Sequence, residues 1–122
     1  MLIELSKVRE KYTKAWLLFE QFDDDSSNEV ARAFDFFQTK NLLVTVKKTK
    51  PLNPDYEGTF AASILIQSLS DLKRLGRKRN RIDYYGHSTY EKALAKAIFK
   101  GFQIIEHLII GKPLPEKPRK TR

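Results

Sequence analysis

Residues 59–86 read TFAASILIQSLSDLKRLGRKRNRIDYYG, a stretch that joins an apolar run to a dense group of cations. Its apolar side chains recur mostly at steps of three and four residues, which is typical of one face of a helix. We therefore expect a helix from Thr59 that continues through the cations and ends at Gly86, where glycine suits a left-handed cap. Gly76 would weaken or kink this helix. The apolar positions are Phe60, Ile64, Leu65, Leu69, Leu72 and Leu75.

Two helices are predicted before this segment. The first covers about residues 2–22, whose apolar residues follow the same period, and a polar turn ends it. The second begins at Ser26, because Ser26 and Glu29 have the spacing of a capping box. We expect it to continue through Leu43 and to include residues 44–46, although β-branched side chains favour strands.

The last helix is predicted between a second capping box, residues 88–91, and Gly111. Pro51 and Pro54 interrupt the chain between the second and third helices. Four amphipathic helices with one loop of about a dozen residues predict an all-α protein. The expected fold is a four-helix or five-helix antiparallel bundle over residues 1–111, followed by a disordered basic tail over residues 112–122.

Length and composition limit the classes of function. The chain has 122 residues, about the size of one domain, and no cysteine, which excludes disulfides, a thiol nucleophile and cysteine-based metal sites. No apolar run approaches the roughly 20 residues of a membrane span, so we expect a cytoplasmic protein without a membrane partner. Its net charge of +8 is uneven, with −2 over residues 1–46 and +10 over residues 47–122. A basic half predicts an acidic partner, which is a nucleic acid, a nucleotide or an acidic protein.

Six of the nine residues from Lys73 to Arg81 are cations, and two tyrosines follow them. Arginine binds phosphate in a bidentate manner, and tyrosine offers a stacking surface to an unpaired base. An alternative interpretation is a solvated basic helix face, with Arg79 paired to Asp83 one turn later. The residues predicted to contact nucleic acid are Arg74, Arg77, Lys78, Asn80, Tyr84 and Tyr85.

His87 is the candidate for proton transfer, because it follows the cations and histidine titrates near neutral pH. Arg79 and Arg81 would supply positive charge to a reacting phosphate. In a helix, Arg81 and His87 would lie less than two turns apart. These three residues are the predicted catalytic set. No metal site and no cofactor is predicted, since no glycine-rich phosphate loop or metal-ligand spacing occurs.

The segment from Leu72 to Gly86 resembles the signature of the HEPN family (higher eukaryotes and prokaryotes nucleotide-binding), in which a helix ends in Arg-Asn. Here Arg79-Asn80 stands at that place. With this alignment the family's histidine positions fall on residues 84–86, and none is histidine. If Arg81 is aligned instead, the spacing to His87 fits the family's Arg-x(4–6)-His motif.

The resemblance implies a helical bundle and a role in RNA chemistry. Many HEPN proteins are metal-independent ribonucleases, often toxins paired with a nucleotidyltransferase antitoxin, and others only bind or assemble. Three hypotheses follow. The chain is an RNA- or nucleotide-binding domain of a toxin–antitoxin or defence system, an active ribonuclease that uses the Arg-x5-His spacing, or a non-catalytic assembly module.

The first two predicted helices hold more aromatic residues than one apolar stripe per helix needs. Surplus apolar surface on a small domain marks an interface. We therefore expect a homodimer with a two-fold axis, which is also typical of the HEPN family. The residues concerned are Tyr12, Trp16, Phe19, Phe22, Phe34, Phe36 and Phe37.

Overall fold

A computed structural model of the chain describes residues 5–23, 28–49 and 59–115. It is an α/β protein in which helices pack on one face of a three-stranded antiparallel sheet, with strand order β1-β2-β3. The elements are α1 (Leu5–Lys11), α2 (Thr13–Gln21), α3 (Glu29–Thr39), β1 (Leu42–Thr49), β2 (Thr59–Ile66), α4 (Leu69–Arg74), β3 (Arg81–His87) and α5 (Tyr90–Ile110).

The predicted all-α bundle is therefore wrong, and the error lies in two segments. Residues 42–49, assigned to the second helix, form β1, as the β-branched residues 44–46 favour. The expected helix over residues 59–86 is divided into β2, the short helix α4 and β3. Gly76 has a φ of 69° directly after α4, and Gly86 has a φ of 84° within β3. Gly86 thus lies in a strand, not at a helix end.

The register shows why β2 resembled a helix. Leu42 pairs with Ile66 and Thr49 with Thr59, so β1 and β2 are paired along their full length. In β2, four consecutive residues from Ala61 to Ile64 are buried. A strand buried on both faces loses the alternation of apolar and polar residues, so its sequence does not distinguish it from a buried helix.

The core lies between the sheet and the long helix α5. Side chains of alternate strand residues, including Val44, Ala62 and Ile64, face the buried side of α5. Phe19, Phe36, Phe37 and Phe102 pack as a cluster with ring centroids 5.2–6.2 Å apart. Most of the aromatic residues that suggested a dimer are therefore core residues of one chain. The homodimer stays a prediction, without that argument in its favour.

The N-cap of α5 is Thr89, one residue after the Ser88 that the predicted capping box implies, and the helix ends at Gly111 as predicted. The Thr89 side chain accepts a hydrogen bond from the Lys92 amide at the first turn, and Gly111 takes a left-handed conformation after the last. Beyond it, Leu114 packs on the core and donates a backbone hydrogen bond to Leu75. Residues 116–122 of the predicted tail lie outside the described residues. Within the described ranges, no helix is both long and apolar enough to cross a bilayer.

Candidate nucleic-acid interface

Four of the predicted site residues line one surface groove between α4 and the start of β3. They are Lys78, Arg79, Asn80 and Arg81, and the groove has a volume of about 600 Å³. Leu69, Leu72 and Asp83 complete its lining. Residues 75–80 connect α4 to β3, and Gly76 allows a turn near the start of this connection with its positive φ of 69°. This turn brings the consecutive cations against α4, and we refer to the site as the β3 groove.

The groove continues onto the sheet face that points away from α5, which we call the outer face. Side chains alternate along a strand, so Arg81, Asp83 and Tyr85 share this face on β3. The Arg81 Nε atom lies 2.9 Å from Asp83 Oδ1 and 3.3 Å from Ser63 Oγ of β2. The alternative pairing of Arg79 with Asp83 is wrong, because the strand places Arg81 beside Asp83, and Arg79 lines the groove instead.

Asp83 is a fixed negative charge within this network. Its partial burial raises the pKa, but hydrogen bonds from Ser63, Arg81 and Tyr85 outweigh that effect and hold the pKa below its usual value. The ionised carboxylate fixes the Arg81 side chain along the outer face. Arg81 remains half exposed, with 49% of its side chain accessible. Its guanidinium therefore remains accessible to a further partner.

Tyr85 is the most exposed aromatic residue of the described sheet, at 64% accessibility. Its neighbour across the bulge is Ala61 of β2, a small residue that is fully buried. On β1, Lys47 pairs with Ala61 from the other side and is exposed. An exposed ring beside two cationic positions, Lys47 and Arg81, is suited to stacking a base between phosphate contacts.

The remaining predicted residues lie elsewhere. Tyr84 and His87 lie on the side of the sheet that faces α5, and burial raises the pKa of Tyr84, an effect that nearby Arg77 opposes only in part. The Arg74 guanidinium donates a hydrogen bond to the Leu108 carbonyl in the last turn of α5, where carbonyl groups lack helical partners. Arg74 is thus a capping residue and is separate from the β3 groove.

In the structure, two residues of the predicted catalytic set, Arg81 and His87, lie far apart because they belong to a strand. Arg81 and His87 are the first and last residues of β3, which places them roughly 20 Å apart at about 3.3 Å per residue. Their side chains also belong to opposite faces, since Arg81 contacts Ser63 and His87 pairs with Phe60. The helix expected between them does not exist. One phosphate therefore cannot contact both side chains of the same chain.

Three lysines of α5 were missed from the sequence. Lys92, Lys96 and Lys100 recur every four residues and so share one helix face. This four-residue spacing is present in the sequence, beside the apolar stripe of the same helix. Within the described ranges, no group of three His, Asp or Glu side chains gathers in metal-binding proximity.

Comparison with known proteins identifies no relative, since no family model, curated protein or solved structure matches the chain. The sheet contradicts the bundle that the resemblance to the HEPN family implies. The toxin–antitoxin role and the nucleotidyltransferase partner stay predictions. The function proposed below depends on the geometry of β3.

Proposed function

We propose that the chain is an RNA-binding domain that holds single-stranded RNA in the β3 groove and on the outer face of the sheet. One observation carries the proposal: Lys78, Arg79, Asn80 and Arg81 line one groove. The exposed ring of Tyr85 lies on the same strand face as Arg81. Cations for phosphate and a ring for a base are thereby combined in one surface.

Lys78 and Arg79 are the phosphate contacts of this proposal. Both are exposed, and within the described ranges neither pairs with a carboxylate. An exposed guanidinium or ammonium group gains by replacing the condensed counterions of a phosphate chain. Arg81, held by Asp83, adds a guanidinium whose direction is already fixed, so less side-chain entropy is lost on binding.

Tyr85 and Asn80 are the base contacts. A tyrosine ring stacks only on an unpaired base, which favours a single strand over a duplex. Tyr85 lies about 13 Å beyond Arg81 along the strand, at about 3.3 Å per residue. Its side chain returns toward the groove, because the Tyr85 hydroxyl is hydrogen-bonded to Asp83, which lines the groove. The Asn80 amide offers both a donor and an acceptor to a base edge beside the phosphates.

The test is fluorescence anisotropy with a labelled single-stranded uridine oligonucleotide at several salt concentrations. The double variant Lys78→Gln/Arg79→Gln should reduce the slope of log affinity against log salt by about 1.4, at about 0.7 per lost phosphate contact. Tyr85→Ala should weaken binding by about 5- to 150-fold, the equivalent of roughly 1–3 kcal/mol of stacking. Lys14→Gln, an exposed substitution on α2, is the matched control.

Circular dichroism must show that each variant keeps its secondary structure. Wild-type protein that does not bind the oligonucleotide, or groove variants that bind like the Lys14→Gln control, would contradict the proposal. Competition by a free mononucleotide at equal affinity would assign the groove to nucleotides in place of RNA.

A further inference from the structure

A second basic surface lies on the other side of β3, between this strand and α5. The ammonium groups of Lys96 and Lys100 lie 5.5 and 5.7 Å from the centroid of the Tyr84 ring. Lys92, one turn earlier, donates a hydrogen bond to Ser88 Oγ over 3.2 Å. These lysines follow the strand as a row, and His87 lies at the end of the row where α5 begins.

Several polar groups at this surface lack a partner. The Nε2 atom of His87 and the Nε atom of Arg77 are buried without a hydrogen bond. Within the described ranges, neither Lys92 nor Lys96 pairs with a carboxylate. A buried polar atom without a hydrogen bond costs about 1–3 kcal/mol, and clustered like charges repel each other. An anion bound along the row would relieve the repulsion between the lysines.

We propose that the row formed by Lys92, Lys96 and Lys100 binds further phosphates of the RNA strand that occupies the β3 groove. This inference rests on the proposed function. It extends the RNA contact from one face of β3 to the other. The ligand at this second surface is the phosphodiester backbone, because the row presents ammonium groups and its tyrosine ring is already covered by lysines.

The position of β3 in the sheet makes this path available. Within the described ranges β3 pairs with β2 alone, so its other edge carries no strand. Arg81 and Tyr85 flank that edge on the outer face, and Tyr84 and His87 flank it on the α5 side. A flexible single strand that leaves the groove can therefore pass around the edge. The unpaired amide groups of the edge add donors along this path.

Lysines beside an edge strand also have a purely structural explanation, since they prevent pairing with another chain. The two explanations predict different effects of the lysines on the binding of short and long RNA. A 4-nucleotide strand would fill only the groove, whereas a 12-nucleotide strand would also extend to the lysines. Both lengths are within the range of common single-strand binding sites. Lysines that only protect the edge would not change RNA binding at either length.

The experiment compares Lys92→Gln/Lys96→Gln with the charge-matched control Lys14→Gln/Lys112→Gln by anisotropy against salt. For the 12-nucleotide strand, the α5 variant should have a slope smaller by about 1.4, from two lost phosphate contacts at about 0.7 each. Binding of the 4-nucleotide strand should match that of the control. A 12-nucleotide slope equal to that of the control, or an equal loss at both lengths, would overturn the inference.

The groove variant Lys78→Gln/Arg79→Gln separates this inference from the proposed function. If that variant weakens the 4-nucleotide strand while the α5 variant has no effect, only the second surface is refuted. If the groove variant leaves the 4-nucleotide strand unaffected, the proposed function is refuted and the inference fails with it.

Discussion

At the scale of single residues, the Arg81–Asp83 pair determines the character of the interface. Two residues apart, these side chains would not meet in a helix, but a strand places them on one face, with 2.9 Å between Nε and Oδ1. The pair leaves Arg79 and Lys78 as the cations without a carboxylate partner in the described part of the groove. Arg81 thus has a fixed guanidinium, whereas the charges of Lys78 and Arg79 remain available to a ligand.

His87 provides a prediction about pH at this scale. Burial lowers its pKa below 6.5, and Lys96 and Lys92 of α5 lower it further. Tyr84 of the same strand face does not compensate, because burial keeps its hydroxyl neutral. The unfolded chain therefore takes up the histidine proton more readily than the folded chain. The free energy of unfolding should be constant above about pH 6.5 and fall as pH decreases toward the folded-state pKa.

Urea unfolding of the wild type and of His87→Asn between pH 5 and 8 measures this effect. Below pH 6.5 the wild type should lose stability relative to the variant, and above it the difference between them should stay constant. A wild type that gains stability over the variant on acidification would show that His87 finds an anionic partner in the folded chain.

At the scale of elements, the contact between α5 and α3 depends on one glycine. Gly101 is buried within α5, and a Cβ atom there would lie 2.6 Å from the Phe37 ring. This ring packs edge-on against Phe102 with 5.2 Å between centroids, so it has little room to move. The absence of a side chain at position 101 allows α5 to approach α3 closely enough to form the aromatic core.

Gly101→Ala should therefore destabilise the protein. Alanine improves helix propensity by about 1 kcal/mol, but overpacking a core typically costs about 1–3 kcal/mol. We expect a net loss of up to about 2 kcal/mol in the free energy of unfolding, measured by urea titration. Adding Phe37→Leu should cost less in the Gly101→Ala protein than in the wild type, since the smaller side chain relieves the clash. A gain in stability on Gly101→Ala would contradict the packing described here.

The elements also show where sequence reasoning succeeds. The ends of α5 were predictable to within one residue because Thr89 and Gly111 act through local hydrogen bonds. The strands were not, because Leu42 and Ile66 pair across a separation that no local period reveals. Phe60, Ile64 and Leu65 fit a helical stripe only because β2 is buried on both faces at its centre. The basic composition of the segment was enough to predict the groove residues. The separation of Arg81 from Tyr84 and His87 on opposite faces was not predictable, because it depends on the segment being a strand.

At the scale of the whole molecule, the uneven charge of the sequence places most of the positive charge on particular helices and strands. The basic half of the chain, residues 47–122 with a net charge of +10, contains β3 and α5, and the acidic half contains α1, α2 and α3. Both proposed RNA surfaces therefore flank the edge of β3 on the basic half. A polyanion would be steered toward this edge over a distance set by salt screening.

Amide chemical-shift mapping tests the central claim most directly, that RNA binds around β3. A 12-nucleotide single strand is titrated into isotopically labelled protein, and shifts are followed residue by residue. The account predicts the largest changes over residues 78–87 and over the exposed face of α5 from Lys92 to Lys100, while amides of α3 stay unchanged. Changes centred instead on the groove around Arg74, Thr39 and Ile109, or no changes at all, would contradict it.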